Sequence, residues 1–366
     1  MSAVRFNRFV EIDDVANLIA KVGHKVTFVV RGEPGTGKSS ILTLLKRLFG
    51  DAYHYVYVDV PNVGDGDLLM KIPDRDTKEI EEYLAAMFKL SEGKPLVIML
   101  DEYLKASKLL KPLFTRLVQE RMLGNTPLPP GSIVFATSNL ASDGVGDTTQ
   151  AHEGNRVCYI EMAKPTHKKW LKWAINAGIS GTTRTMVDLK PQLFESYRTL
   201  SPEKLNENPF IFNPTKPEQS VTFCSPRSLD KADEIVKVSD SLPPDVVAAA
   251  LEGLVGKPAA DLFHTFMMIG KDLMRTVDII ANPDAATIPT SPAATIMLMQ
   301  NAVDELETQD DIIQWMKYVD RINNREYEGV FMSLICESKR MSGKAMQNKR
   351  IMEWYEKNHK VTPDSY

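Results

Sequence analysis

The sequence predicts a parallel α/β domain followed by an all-helical region. Three observations predict it. Short apolar runs alternate with helical patterns up to about residue 165, one run leads through a glycine-rich loop into a helix, and beyond that point the strand signal stops. The expected strands are Val26–Val30, Tyr53–Val58, Leu96–Leu100, Ser132–Ala136 and Val157–Ile160, each short and bounded by turn residues. Helical patterns at Val15–Val22, Ser39–Phe49, Lys78–Leu90 and Ala106–Arg121 separate them, each long enough to cross over a parallel sheet.

Residues 1–165 are therefore expected to form one domain and 166–226 a helical segment with an extended linker, while 227–366 form a further helical region. The middle segment carries Trp170, Trp173 and Ala177 on a helix. It ends in a polar passage from Ser201 to Pro226, rich in proline, that reads as an extended connection. Helices are expected at Ser228–Lys237, Pro244–Leu254, Asp261–Ala281, Ala293–Leu306 and Ile312–Tyr318, with two more up to His359. The methionines Met267, Met268, Met274, Met297 and Met299 read as helical core, with a partner-binding surface as the alternative.

Composition narrows the class. The chain is 43% hydrophobic and 25% charged, which supplies a sizeable core. A formal charge of −4 argues against coating nucleic acid by bulk electrostatics. Cys158, Cys224 and Cys336 are far apart and form no CxxC pair, so reduced thiols are expected and zinc is not. No apolar run reaches membrane-spanning length, and the first residues lack the apolar core of a signal peptide. The expected location is cytoplasmic, without a membrane partner.

The chemistry starts at Gly32-Glu33-Pro34-Gly35-Thr36-Gly37-Lys38-Ser39, with Ser40 following into the helix. Glycines let backbone N–H groups turn inward around phosphates, Lys38 reaches the outer phosphates, and the Ser39 hydroxyl is placed to ligate Mg²⁺. The motif implies a bound nucleoside triphosphate. A second apolar run, Leu96–Leu100, ends in Asp101-Glu102. Asp101 is suited to hold Mg²⁺ and Glu102 to polarise the water that attacks the γ-phosphate, the alternative being that both cap a helix. A third, Ser132–Ala136, runs on through Thr137-Ser138 to Asn139, placed to contact that water or the γ-phosphate, or else an ordinary turn asparagine.

The order of phosphate loop (Walker A), Leu-Asp-Glu strand (Walker B) and Ala-Thr-Ser-Asn strand resembles an AAA+ ATPase, and more narrowly the MoxR group. Gln119–Gly124 with Pro127–Gly131 resembles the hairpin that this group inserts before the Asn-bearing strand. Val60–Leu69 sits at the site of a family insertion. Asn155-Arg156 resembles the arginine-finger position, and Ser225-Pro226-Arg227-Ser228 the opening of the helical lid with its second-sensor arginine. The resemblance spans roughly residues 5–255. It implies a P-loop AAA+ sheet domain, a helical lid and a helical C-terminal extension. It further implies Mg²⁺-dependent hydrolysis of ATP to ADP and phosphate, and a ring, expected to be hexameric, in which Arg156 acts on a neighbour's nucleotide. The chaperone-like task would be remodelling or maturing a protein client, in this family often one with a von Willebrand type A domain. For Arg156 the alternative is a surface salt bridge with Glu153 or Glu161; for Arg227 it is a plain first-turn arginine. The runner-up function is a nucleic-acid motor or loader, for which Arg121 is the one basic residue on the hairpin segment. The basic segment from Lys339 to Lys360 reads as a solvated helix face, with nucleic-acid contact as the less favoured alternative. His152 reads as structural or solvent-facing.

Overall fold

The computed structural model describes residues 8–64, 66–140, 156–216 and 221–358. The chain divides into two compact units, Met1–Pro165 and Thr166–Tyr366.

In the first unit five parallel strands form the sheet: β1 (Phe28–Arg31), β2 (His54–Asp59), β5 (Leu96–Asp101), β8 (Ile133–Ser138) and β9 (Cys158–Glu161). Their order is β2-β5-β8-β1-β9, so the Asn-bearing strand β8 lies between the phosphate-loop strand and the Asp-Glu strand. Period-two alternation gives the sheet two apolar faces. Phe28, Val30, Val97, Met99 and Phe135 pack under helices α1 (Ile12–Val22) and α2 (Ser40–Phe49). Val29, Val56, Val58, Ile98, Leu100 and Val134 pack under α3 (Lys111–Glu120). The helices hold on through stripes one turn apart: Val15 and Ile19 on α1, Ile41 and Leu45 on α2, all fully buried. Each such side chain contributes about 1.5–3 kcal/mol.

All five expected strands are present within two residues of their predicted bounds. The helix expected over Lys78–Leu90 is not. Ile80–Leu84 is a strand, β4, antiparallel to β3 (Leu69–Pro73), and short 3-10 turns follow it. Ile80, Leu84 and Met87 do have helical spacing, but the turn before them decides the outcome. Asp74 Oδ1 accepts from the backbone N–H of Asp76 at 2.8 Å, Asp74 and Glu79 are joined N–H to carbonyl at 2.9 Å, and Lys78 takes φ +60°. That Asx turn closes the hairpin and offers the strand a partner. Helix α3 begins five residues later than expected, with Pro112 in its first turn.

A second small hairpin, β6 (Met122–Leu123) with β7 (Thr126–Pro127), turns at Gly124, φ +61°. It docks on the first: Asn125 N–H donates to Glu82 Oε2 at 2.7 Å, and a Cβ on Gly124 would lie 2.5 Å from that oxygen. A side chain there would be strained by the backbone angle and would displace the Glu82 carboxylate.

The second unit carries helices and no strand among the described residues: α4 (His167–Ala177), α5 (Gly181–Leu189), α6 (Pro202–Glu207), α7 (Pro226–Val238), α8 (Pro244–Val255), α9 (Lys257–Lys271), α10 (Thr276–Ala281), α11 (Pro292–Glu305), α12 (Gln309–Ile322), α13 (Arg325–Glu337), α14 (Ser342–Ala345) and α15 (Lys349–Asn358). Helices α5 and α6 were not expected; the passage from Ser201 is not extended throughout. Both start on a serine N-cap, Ser180 and Ser201, whose hydroxyl accepts from the third residue on. The helix expected over Asp261–Ala281 is two, α9 and α10. Helix α11 lies between two cores, with Met297 facing one and Leu298, Met299 and Ala302 the other. Met297 and Met299 are fully buried, as core, while Met268 is half exposed. Fully buried Asp233 ties α7 to the start of α5, accepting from Ser180 Oγ and Thr183 Oγ1 at 2.5 Å each, and buried Arg184 ties α5 to Asp304 of α11 at 2.7 Å.

Candidate nucleotide-binding and hydrolysis site

The phosphate loop joins β1 to α2. Gly35 and Gly37 stand at φ +72° and +92°, conformations that a side chain would strain. Thr36 Oγ1 donates to Glu33 O at 2.9 Å, which closes the loop on itself. Ser39 is the N-cap of α2, yet its side chain makes no capping hydrogen bond. Lys38 is almost fully buried and folds back under the loop, where Nζ donates to the carbonyls of Gly32 at 2.9 Å and Glu33 at 3.0 Å.

Strand register brings the other residues to it. Arg31 pairs with Ser138 and Leu100 with Ala136, so Gly32, Asn139 and Asp101 end adjacent strands at the same sheet edge. There Lys38 Nζ donates to Asn139 Oδ1 at 2.8 Å, and Asn139 Nδ2 donates to Glu102 Oε1 at 2.7 Å. Three segments distant in sequence thus meet through one amide. The orientation of that amide is the only one that offers its oxygen to the ammonium and its N–H to the carboxylate.

Glu102 stands at φ +55°. A left-handed non-glycine residue costs about 1–3 kcal/mol and is found where the surroundings over-determine it. It leads into a 3-10 turn, Tyr103–Lys105, in which residues three apart eclipse one another. Lys105 Nζ consequently comes within 2.9 Å of Glu102 Oε2, forming an ion pair without hydrogen-bond alignment.

Asp101 stands on the sheet face that α1 and α2 cover, two residues beyond Met99. Its Oδ2 accepts from Tyr57 O–H at 2.8 Å and its Oδ1 from Thr137 Oγ1. Each oxygen keeps further acceptor capacity. The donors nominated for Mg²⁺, the Ser39 hydroxyl and the Asp101 carboxylate, are oxygens that suit a hard cation taking its remaining ligands from phosphates and water. No group of three or more His, Cys, Asp or Glu able to hold a metal alone occurs among the described residues. The residues fit a metal that arrives with the nucleotide.

The arginines behave differently from one another. Arg156, exposed, donates to Gln119 Oε1 of α3 at 2.8 Å. Of its expected alternatives, Glu161 pairs with Arg31 at 3.2 Å, and Glu153, like Asn155 and His152, lies outside the described residues. Arg227 lies in the second unit, exposed on the first turn of α7. Ser225 and Ser228 form a reciprocal capping box there, with bonds of 3.1 and 2.8 Å. The serines and the proline of that motif thus have a local reason to be present, while Arg227 makes no hydrogen bond or ion pair among the described residues.

Arg121 is structural. It caps α3 at φ +57° and donates to Thr27 Oγ1, to Val118 O at 2.6 Å and to Gly23 O at 3.0 Å. Burial holds its guanidinium down at about 10. The basic C-terminal segment is also engaged. Arg340 donates to Val303 O and Asp304 O at 2.7 Å, Lys344 to Glu307 O, and Arg350 pairs with Asp320 and Glu328.

Three site residues escaped sequence reasoning: Tyr57, Thr137 and Lys105. Thr137 was legible in principle, being two residues before Asn139 on the same face. Tyr57 and Lys105 were not, because the first needs the strand register and the second the 3-10 turn.

The fold and site define an α/β protein with a phosphate-binding loop and a helical second unit. No protein-family profile matches the chain, and no curated protein matches it. Among solved structures it is similar to a RuvB mutant of Thermotoga maritima, at 12% identity over 81% of this chain and 84% of that one, TM-score 0.35. It is also similar to NtrX of Brucella abortus in complex with ADP, at 13% identity over 98% of this chain and 70% of that one, TM-score 0.36. Likenesses at this level carry no functional weight; the chain's own residues do. No helix among the described residues is long and apolar enough to cross a membrane.

Proposed function

We propose that the chain is an ATP-hydrolysing machine of the AAA+ type, close to the MoxR group, that works as a homo-oligomeric ring on a protein client. The observation that carries the ATPase part is the Lys38–Asn139–Glu102 chain of hydrogen bonds. It joins a phosphate-binding cation to a carboxylate through a single amide.

In this reading Gly32, Pro34, Gly35, Thr36, Gly37, Lys38, Ser39 and Ser40 hold the phosphates. Ser39 and Asp101 would hold Mg²⁺, which when bound neutralises charge developing on the phosphate oxygens. Tyr57 and Thr137 fix the Asp101 carboxylate. Glu102 takes up the proton side of water attack and Asn139 orients that water or the terminal phosphate. Arg156 is exposed and, among the described residues, hydrogen-bonded to Gln119, which suits a residue delivered to a neighbouring copy's nucleotide. Arg227, exposed and unpaired among the described residues, would report loss of the γ-phosphate to the helical unit. The ring, its six-fold count and a client with a von Willebrand type A domain rest on the sequence resemblance. The nucleic-acid alternative loses ground, because Arg121 and, in the C-terminal segment, Arg340, Lys344 and Arg350 make internal contacts.

The test is capture with Glu102→Gln held in ATP. A specific protein retained with ATP and lost without it supports the remodelling function. Nucleic acid retained at physiological salt, with no protein, would overturn it in favour of a motor or loader.

A further inference from the structure

The two oxygens of Glu102 are held by different arms. Oε1 accepts from Asn139 at 2.7 Å, and Oε2 faces the Lys105 ammonium at 2.9 Å. The first arm depends on the phosphate site, because Asn139 is itself held by Lys38. Lys38 cannot both donate to Gly32 O, Glu33 O and Asn139 Oδ1 and turn its three N–H bonds to phosphates, since an ammonium has only three. Turning Lys38 to a phosphate gives up at least one of these acceptors, and Asn139 Oδ1 is among them, so the first arm is linked to the phosphate site.

The second arm has no such link. Lys105 lies on the 3-10 turn that follows Glu102, and the turn is pinned by Tyr103, 6% exposed in the core beneath α3. Lys105 N–H also donates to Glu102 O at 2.9 Å, so backbone and side chain together keep the cation over the carboxylate. Lys105 makes no hydrogen bond or ion pair with the phosphate loop.

Resting on the ATPase reading above, we infer that Lys105 is a positioning residue that restrains Glu102 and limits its turnover of water after ATP has bound. A cation 2.9 Å from Oε2 restrains the direction in which the carboxylate can turn. It also keeps the side chain on the Lys105 side of the strand tip. The Lys105 side chain is 30% exposed while Glu102 Oε2 is buried, so the cation reaches solvent and the pair is a partly exposed one.

The experiment compares wild type, Lys105→Met and Lys105→Arg, with ATP turnover, KM and the equilibrium affinity for a fluorescent ATP analogue measured on each. Methionine keeps the apolar stem and removes the charge. Lys105→Met should raise kcat by roughly two- to fivefold, the scale of a partly exposed ion pair, with affinity and KM unchanged. Lys105→Arg, which keeps the cation, should stay near wild type. A general packing defect would lower kcat or weaken binding, not raise kcat alone. An unchanged or lower kcat in Lys105→Met overturns the inference. Failure of the wild type to bind the analogue is a different result: it overturns the nucleotide reading, and this inference with it.

Discussion

Asn139→Ala is the perturbation that best probes the site. Asn139 makes two bonds to charged partners, at 2.8 and 2.7 Å. Alanine removes both, but neither partner is stranded. Lys38 keeps two carbonyls and Glu102 keeps Lys105. The cost to folding should therefore be that of about one charged hydrogen bond, ~1.5–3 kcal/mol. Catalysis should suffer on the same scale, because one bond to the reacting water or phosphate is lost at the barrier. At 1.36 kcal/mol per decade that is a fall in kcat of roughly 10- to 150-fold. Affinity for ATP should hold within about tenfold, since Lys38 no longer has to leave Asn139 to reach the phosphates, and that gain opposes any lost contact. Titration with a fluorescent ATP analogue and a phosphate-release assay separate the two quantities. A kcat within about threefold of wild type refutes the assignment of Asn139 to the reaction. Loss of nucleotide binding would refute it in a different way, by showing that Asn139 builds the loop.

Arg156→Ala should bind ATP normally and lose turnover by about 10³-fold in the pure protein, while mixing it with Glu102→Gln subunits should restore part of the rate; phosphate release across mixing ratios checks this, and no restoration speaks against a shared site. Arg121→Ala should lower unfolding stability by about 2–4 kcal/mol in urea melts, since three acceptors lose one half-buried cation, and Arg121→Lys should recover little because an ammonium lacks the planar fork; a loss below about 1 kcal/mol would contradict the structural role. Burial and Glu337 push the Cys336 thiol from 9.0 up to about 11. Between those values the folded chain keeps a proton that the unfolded chain releases, so stability should fall as pH rises through that window. Urea midpoints for wild type should decline more steeply there than those for Cys336→Ala; parallel slopes would remove the cause assigned.

The parts of this protein legible in the sequence are those decided by neighbours in the chain. The five parallel strands show as apolar runs because a sheet covered on both faces needs no alternation of polar residues. The phosphate loop shows because its glycines need conformations closed to other residues, at φ +72° and +92°. What failed was decided at a distance or by a turn. Lys78–Leu90 carries helical spacing, yet β3 supplied a partner and Asp74 the turn, so Ile80–Leu84 within it became a strand. Arg121 reads as a cation available to a ligand until the fold brings Thr27, Val118 and Gly23 around it. Lys38, Asp101, Glu102 and Asn139 were each nominated from the chain, but nothing in it says that Asn139 joins Lys38 to Glu102, or that Tyr57 and Thr137 grip Asp101. The sequence by itself determined which chemical groups end the strands. Only the tertiary structure decided which of them touch, because strand order and register place residues 101 apart at 2.8 Å, and local propensity carries no information about that distance.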